Sequence, residues 1–272
     1  MISSKKYVDE TLRKYNLKAN KALGQNFLVE SDIASFIVES ANIDKETTII
    51  EIGPGMGALT EFELDKAKQV IAYEIDKNMV QILNDSFSNY DNFKLYNIDF
   101  LKVDLDKLFD NLKDEKSIKL ISNLPYYITS KILNKLILYP LDELTVMMQK
   151  EVGIKLIKPA PKDTSVLTRM LSYADEGSIV KYVGKNSYLP RPDIDSIVLS
   201  FKSKHLERKK IDKFYNVCSA LYSNRRKTIS NNLKNLFDVE TIDQILKECN
   251  LDENLRAEQL NNEQIEKISN WL

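Results

Sequence analysis

The chain has 272 residues, 43% of them hydrophobic, with 39 Lys and Arg against 40 Asp and Glu for a formal charge of −1. That length and apolar content fit one large globular domain or two ordinary ones and exclude disorder as the main state. Seven glycines, seven prolines and the lack of any uncharged apolar run long enough for a bilayer exclude collagen-like, low-complexity and membrane-spanning classes.

The first elements are polar and mixed. Met1–Asn20 interleaves charged and apolar side chains and carries no secretory signal, so a cytoplasmic protein is expected. Between Thr47 and Gln149, short β-rich runs (TTIIEI, QVIAYEI, FKLYNID, IKLISNL and ELTVMMQ) alternate with helix-length stretches. That rhythm predicts an α/β domain with a mostly parallel sheet and crossover helices. The runs at Ser178–Val183 and Ser196–Phe201 are joined only by a connection through Pro190 and Pro192, and predict an antiparallel hairpin at a sheet edge. After Lys204 the period becomes helical, with Phe214, Val217, Cys218, Leu221 and Tyr222 on one stripe, followed by Ile229, Leu233, Leu236 and Phe237. The expected organisation is an α/β domain over 1–204 and a small all-helical domain over 205–272.

Charge is distributed unevenly. From Phe201 to Asn235 ten basic residues face only Glu207 and Asp212, a local charge of +8, whereas Glu240–Leu272 carries eight acidic and three basic residues. The basic segment reads as a phosphate-facing surface or, alternatively, a solvated helix face. Cys218 and Cys249 cannot make a disulfide framework, and one histidine leaves too few soft ligands for zinc, so no metal centre is expected. His205, inside the charge-rich run Lys202–Lys210, reads as a solvated side chain rather than a base, and both cysteines as packing residues.

Three glycines fall within five residues, in Glu51-Ile-Gly-Pro-Gly-Met-Gly-Ala-Leu-Thr60, after a strand run and before a helical stretch. Glycines there let backbone approach a ligand and present N–H groups to it. Gly53-x-Gly55-x-x-Ala58 also satisfies the relaxed dinucleotide fingerprint, so the loop alone does not separate a nicotinamide enzyme from other nucleotide binders. Glu74, at the end of the second strand run, can accept from both hydroxyls of a ribose. Asp99 ends the third run and can accept from an adenine amino group, or serve only as a turn former. Two carboxylates at successive strand ends would then read one adenosyl ligand.

The fourth run ends in Ser122-Asn-Leu-Pro-Tyr-Tyr127, which resembles the Asn/Asp-Pro-Pro-Tyr motifs of enzymes that methylate exocyclic amines of bases. Its Asn-Leu-Pro-Tyr form is similar to that of the small-subunit ribosomal RNA adenine N6,N6-dimethyltransferases. Lys21-Ala-Leu-Gly-Gln-Asn-Phe-Leu28, Gln149-Lys-Glu-Val152, Pro190-Arg-Pro-Asp-Ile-Asp-Ser196, Arg225-Arg-Lys-Thr228 with Asn231-Asn232, and Arg256-Ala-Glu-Gln-Leu260 follow that family's order over nearly the whole chain. The resemblance implies a Rossmann-like class I methyltransferase domain with a seven-stranded sheet, S-adenosylmethionine as cofactor, and dimethylation of two adjacent adenosines near the 3′ end of small-subunit RNA. It also implies a role in subunit biogenesis.

Cofactor contacts carry over to Asn26, Leu28, Gly53, Gly55, Glu74, Asp99 and Asn123, with Asn26 and the loop amides at the methionine end. The acceptor group is Asn123, Leu124, Pro125 and Tyr126. An adenine N6 lone pair is delocalised and weakly nucleophilic. The Asn123 side-chain oxygen and a backbone carbonyl beside Pro125, aimed at its N–H bonds, favour the more tetrahedral nitrogen that attacks a methyl group. Tyr126 offers a face on which the extruded base stacks, while Tyr127 is expected to be a packing neighbour. Arg225, Arg226 and Lys227 are expected to contact RNA phosphates. The partners implied are the small ribosomal subunit and its RNA, and a monomer is expected.

The chain departs from the family at Asp193, usually Lys, at Tyr188, commonly Phe, and at Lys162–Val166, a segment that could itself contact RNA. Three other functions stay open. One is a macrolide-resistance methyltransferase of large-subunit RNA, whose motif usually reads Asn-Ile-Pro-Tyr. The others are a catalytically silent nucleic-acid-binding factor on the same fold and a nicotinamide dehydrogenase.

Overall fold

The computed structural model describes residues 1–20 and 23–272, so Lys21 and Ala22 of the N-terminal signature lie outside the described residues. The strands are β1 (Phe27–Leu28), β2 (Thr47–Ile52), β3 (Gln69–Glu74), β4 (Phe93–Asn97), β5 (Ser117–Asn123), β6 (Glu143–Gln149), β7 (Asp175–Val183), β8 (Tyr188–Leu189) and β9 (Ser196–Ser203). Helices α1 (Lys5–Lys14), α2 (Ser31–Ser40), α3 (Thr60–Lys66), α4 (Lys77–Phe87), α5 (Leu105–Asn111), α6 (Thr129–Leu136), α7 (Lys150–Ile157) and α8 (Val166–Ala174) lie between them. Helices α9 (Arg208–Leu221), α10 (Ile229–Leu233), α11 (Val239–Glu248) and α12 (Asn262–Ser269) follow. No helix among the described residues is long and apolar enough to cross a membrane.

The chain divides into two compact units, Met1–Gly153 with Ser178–Lys202, and Ile154–Gly177 with Ser203–Leu272. A boundary at 204/205, as the change of period suggests, leaves 154–177 with the α/β part. In the structure that segment joins the C-terminal helices because the apolar stripe of α8 packs on α9. Tyr173 stacks on Phe214 with ring centroids 3.7 Å apart. Periodicity reports that a helix has a buried stripe, not which neighbour buries it.

In the first unit, seven strands form one sheet in the order β4-β3-β2-β5-β6-β9-β7. Neighbours from β4 to β6 are parallel, and β9 runs antiparallel to β6 from Gln149↔Ser196 to Glu143↔Lys202. Strands β2 and β6 are buried almost end to end, which explains their unbroken apolar runs, since a parallel sheet covered on both faces has no wet side. The edge strand β7 is mostly exposed and carries Glu176, Ser178 and Lys181, polar side chains of the kind that blunt an open sheet edge. Ile49, Val70, Ile121 and Val198 of the sheet share one core cluster with Ile37 and Val38 of α2 and Leu83 of α4.

The second unit is held by polar as well as apolar contacts. Arg169 on α8 donates through Nε to the Tyr222 hydroxyl (3.1 Å) and through Nη2 to the carbonyls of Glu258 and Leu260. This accounts for Arg256-Ala-Glu-Gln-Leu260, whose Ala257 and Leu260 are buried while its carbonyls receive the guanidinium. Asn232 donates to the carbonyls of Leu221 (2.8 Å) and Asn224 (3.0 Å), tying α10 to the end of α9.

One feature of the first unit resists ordinary packing logic. Glu51 on β2 and Glu63 on α3 are both buried. Glu51 accepts a 2.6 Å hydrogen bond from Thr60, whereas neither carboxyl oxygen of Glu63 has a hydrogen-bond partner of sound geometry. Burial pushes Glu51 from its ordinary 4.5 to about 7, and burial followed by the charge of Glu51 pushes Glu63 well up. The pair therefore holds protons in the folded state that the unfolded chain releases, so stability falls as pH rises from about 4.5 through about 7. Replacing Glu63 with Leu is expected to shrink the loss of unfolding free energy between pH 5 and pH 8, measured by urea denaturation. An equal loss in variant and wild type would contradict it.

Candidate active site

Strand order reverses on either side of β2, with β3 and β4 to one side and β5 and β6 to the other. Ligands of open α/β sheets bind outside the carboxyl ends of strands at such a switch point. Here the ladder between β2 and β5 ends at Ile50↔Leu120, before either strand does. The Ser122 hydroxyl spans the gap beyond it, donating to the Ile52 carbonyl at 2.6 Å. The loops after β2 and β5 therefore face each other across a crevice with a cavity of about 160 Å³.

All the cofactor and acceptor residues expected from the sequence line that cavity: Asn26, Leu28, Gly53, Gly55, Glu74, Asp99, Asn123, Leu124, Pro125 and Tyr126. Gly53 and Gly55 adopt φ of 68° and 61°, in the left-handed region that favours glycine. A Cβ at Gly55 would stand 3.5 Å from the Phe27 ring, on the side where the N-terminal segment crosses. Gly57 is different in kind: a Cβ there would meet Phe87 at 2.5 Å, so its role is close packing of the loop on α4.

Glu74, at the end of β3, is buried and accepts from the Gly55 N–H (3.1 Å) and the Asp76 N–H (2.9 Å). Burial raises its carboxyl, and the backbone N–H groups of Asp76 and Gly55 pull the other way. Each carboxyl oxygen keeps a lone pair for a further donor. Asp99 accepts from the Leu101 N–H at 2.9 Å and so is a turn former as well as a cavity residue. Asn26 donates to the Gly24 carbonyl at 3.1 Å, which leaves its side-chain oxygen as the available polar atom.

After β5, the Leu124 N–H donates to the Met147 carbonyl (3.0 Å), so the acceptor loop leaves the sheet from a fixed point. The Pro125 carbonyl is taken by the Ile128 N–H (3.1 Å) and the Thr129 hydroxyl (3.0 Å). That makes the Leu124 carbonyl the candidate backbone acceptor beside Asn123. The Asn123 carboxamide is half-buried and has no hydrogen-bond partner among the described residues. Tyr126 is half-buried, with its hydroxyl 2.6 Å from that of Ser196.

Tyr127 is not the packing neighbour expected. It is 53% exposed, lines the cavity and lies against Gly24, and its phenol is raised by burial, then by Asp99 and Glu74. Both adjacent tyrosines thus border the same cavity, which no local sequence signal distinguished. Gln25 also went unassigned from sequence. Its side chain accepts from the Asn20 N–H (2.8 Å) and donates to Asp76 (2.7 Å), fastening the N-terminal segment beside the cavity. The pairing Leu28↔Tyr188 between β1 and β8 joins two motifs far apart in the chain.

Arg225, Arg226 and Lys227 lie in the second unit, between α9 and α10, and are exposed. Arg225 donates to the carbonyls of Lys162 (2.9 Å) and Pro161 (3.5 Å) and stands over the Tyr222 ring, so it braces the Pro161–Asp163 turn where the divergent segment Lys162–Val166 begins. Cys218 is buried, its thiol pushed up to about 12 by burial, and His205 is exposed. Among the described residues no group of three or more His, Cys, Asp or Glu side chains could hold a metal ion.

Comparison with known proteins bears on this geometry. The family model described as Ribosomal RNA adenine dimethylase matches residues 16–272. A Ribosomal RNA small subunit methyltransferase A of Clostridium botulinum is 40% identical over 97% of both chains, and that of Clostridioides difficile is 37% identical over 99% of this chain and 96% of its own. Among solved structures, a dimethyladenosine transferase from Plasmodium falciparum superposes with a TM-score of 0.71 at 23% identity, covering 88% of this chain and 94% of that one. The 23S rRNA methyltransferase ErmE gives 0.66 at 23% identity, covering 90% and 98%. These two establish the shared fold. With the family profile spanning nearly the whole sequence and relatives at 40% identity, the chain belongs to the ribosomal RNA adenine dimethylase family.

Proposed function

We propose that this protein transfers methyl groups from S-adenosylmethionine to N6 of two adjacent adenosines near the 3′ end of small-subunit ribosomal RNA. One observation carries the reading. In a chain of this family, a carboxamide with no hydrogen-bond partner among the described residues shares a single crevice with a glycine loop and two acids that close or follow neighbouring strands. The small-subunit assignment rests on the relatives at 37–40% identity, whose names specify that subunit.

The crevice suits the cofactor. Glu74 and Asp99 are acceptors for a ribose diol and an adenine amino group, and the left-handed glycines open backbone toward the space between them. Asn26 and the loop amides would hold the amino acid end. S-adenosylmethionine supplies, when bound, a methyl group on a positively charged sulfur that is activated without prior proton removal.

The chain's own residues would act on the acceptor. The Asn123 side-chain oxygen and the Leu124 carbonyl take the two N–H bonds of an adenine amino group, favouring the pyramidal nitrogen at the moment of attack. Pro125 has no N–H, and its carbonyl is occupied, so the loop presents only the acceptors that the reaction uses. The Tyr126 ring holds the base in line. Exposed Arg226 and Lys227 would reach phosphates of the folded RNA, with Arg225 shaping the turn beside them. A near-neutral total charge suits recognition of a ribosomal particle, where several weak contacts add, better than tight binding of free RNA. Action as a cytoplasmic monomer during small-subunit biogenesis completes the reading.

The test is incubation with labelled methyl donor and separated small and large ribosomal particles lacking the modification, followed by nucleoside analysis. Label in dimethyladenosine from the small particle is expected, and label confined to the large particle would refute the assignment. Glu74→Ala is expected to weaken cofactor binding by about 1–3 kcal/mol through lost hydrogen bonds to a carboxylate, and an unchanged calorimetric affinity would remove Glu74 from the site. Asn123→Ala should leave the fold intact yet lose roughly 10²–10³ in turnover. Wild-type turnover in that variant would rule out the acceptor role.

A further inference from the structure

Three hydroxyl groups meet behind the acceptor loop, and the reaction as described uses none of them. Tyr126 Oη lies 2.6 Å from Ser196 Oγ. Ser196, the first residue of β9, is fully buried and sits opposite Gln149 at the end of β6. The Tyr188 hydroxyl, on β8 and also buried, donates to the Met147 sulfur at 3.0 Å and lies against the hydroxyls of Ser196 and Tyr126. Met147 is in turn the register partner of Asn123 on β5, and its carbonyl receives the Leu124 N–H.

The phenol of Tyr126 is thus pinned to β9, which pairs with β6, the neighbour of the strand that carries Asn123, although its ring borders the cavity. Free rotation of that ring about its first side-chain torsion would swing its face out of line with the acceptor atoms. A hydrogen bond at the far end of the side chain fixes the torsion where packing on one side alone does not. We propose that Ser196 and Tyr188 are positioning residues for the methyl transfer, holding the Tyr126 ring in the plane on which the target adenine stacks. The inference rests on Tyr126 being the stacking residue.

The alternative is that the three hydroxyls merely satisfy one another in a buried place. That role would move the melting temperature and leave turnover untouched. The experiment compares Ser196→Ala, Tyr126→Phe, the double variant, Tyr188→Phe and Tyr126→Ala on undermodified small particles, with cofactor affinity measured by calorimetry.

Ser196→Ala and Tyr126→Phe are each expected to lower kcat by about tenfold or more, a modest share of what ångström-scale misplacement can cost. KM for the particle and cofactor affinity should stay at wild-type values. The double variant should be no worse than either single variant, because both remove the same bond. Tyr188→Phe should show a smaller loss of kcat. Wild-type kcat in Ser196→Ala and Tyr126→Phe, while Tyr126→Ala loses turnover, would overturn the positioning role and leave the stacking role standing. Losses that add in the double variant would overturn it as well. Wild-type turnover in Tyr126→Ala would remove the stacking role and the inference together.

Discussion

The hydrogen bond from Ser122 Oγ to the Ile52 carbonyl marks the constraint on which the site depends. Two parallel strands must stay registered along most of their length and still part at their carboxyl ends, because a continued ladder would close the crevice. Strands β2 and β5 stop pairing after Ile50↔Leu120, and the side chain of Ser122 takes over where the backbone no longer reaches. Both groups are buried, so leaving the Ile52 carbonyl unpaired would be costly. The bond sets the spacing between the glycine loop, which follows Ile52, and Asn123, which follows Ser122. Cofactor side and acceptor side are thereby held by adjacent residues on adjacent strands.

Around that frame, polar groups divide into those committed to the fold and those left for ligand. Glu74 is partly committed, through the N–H groups of Gly55 and Asp76, and partly available, through its remaining lone pairs. Asp99 divides in the same way between the Leu101 N–H and the cavity. The Asn123 carboxamide has no partner among the described residues and is left whole for ligand. Preorganisation of this kind puts the energetic cost of alignment into folding, so that the reacting amino group meets acceptors that need not move. The buried Glu51–Glu63 pair beneath the glycine loop shows the converse, a group of acids whose charge the fold suppresses.

Much of this was legible in the sequence, for physical reasons. Strands β2, β3 and β6 read as unbroken apolar runs because a parallel sheet covered on both faces has no wet side, whereas the more polar β4 and β5 were marked by the alternation of strand and helix lengths. The cluster Gly53-x-Gly55-x-Gly57 is conspicuous in a chain with seven glycines, and the positions of Glu74 and Asn123 at strand ends follow from spacing, as does that of Asp99 two residues beyond the end of β4. What stayed hidden depends on long-range partners. The α8 stripe could have packed on the sheet as well as on α9. The donation of the Arg225 guanidinium to the Lys162 carbonyl likewise leaves no trace in the sequence. Ser196 and Tyr188, distant from Tyr126 in the chain, gave no local sign that their hydroxyls converge on it.

The arrangement makes a geometric commitment about where a methyl group must stand. A crystal structure of the protein with S-adenosylmethionine bound tests it most directly. The account predicts ribose hydroxyls on Glu74, the adenine edge at Asp99, and the sulfonium methyl directed at the space between the Asn123 side-chain oxygen and the Leu124 carbonyl. A cofactor bound in this crevice with its methyl turned away from Asn123, or bound elsewhere on the chain, would contradict it.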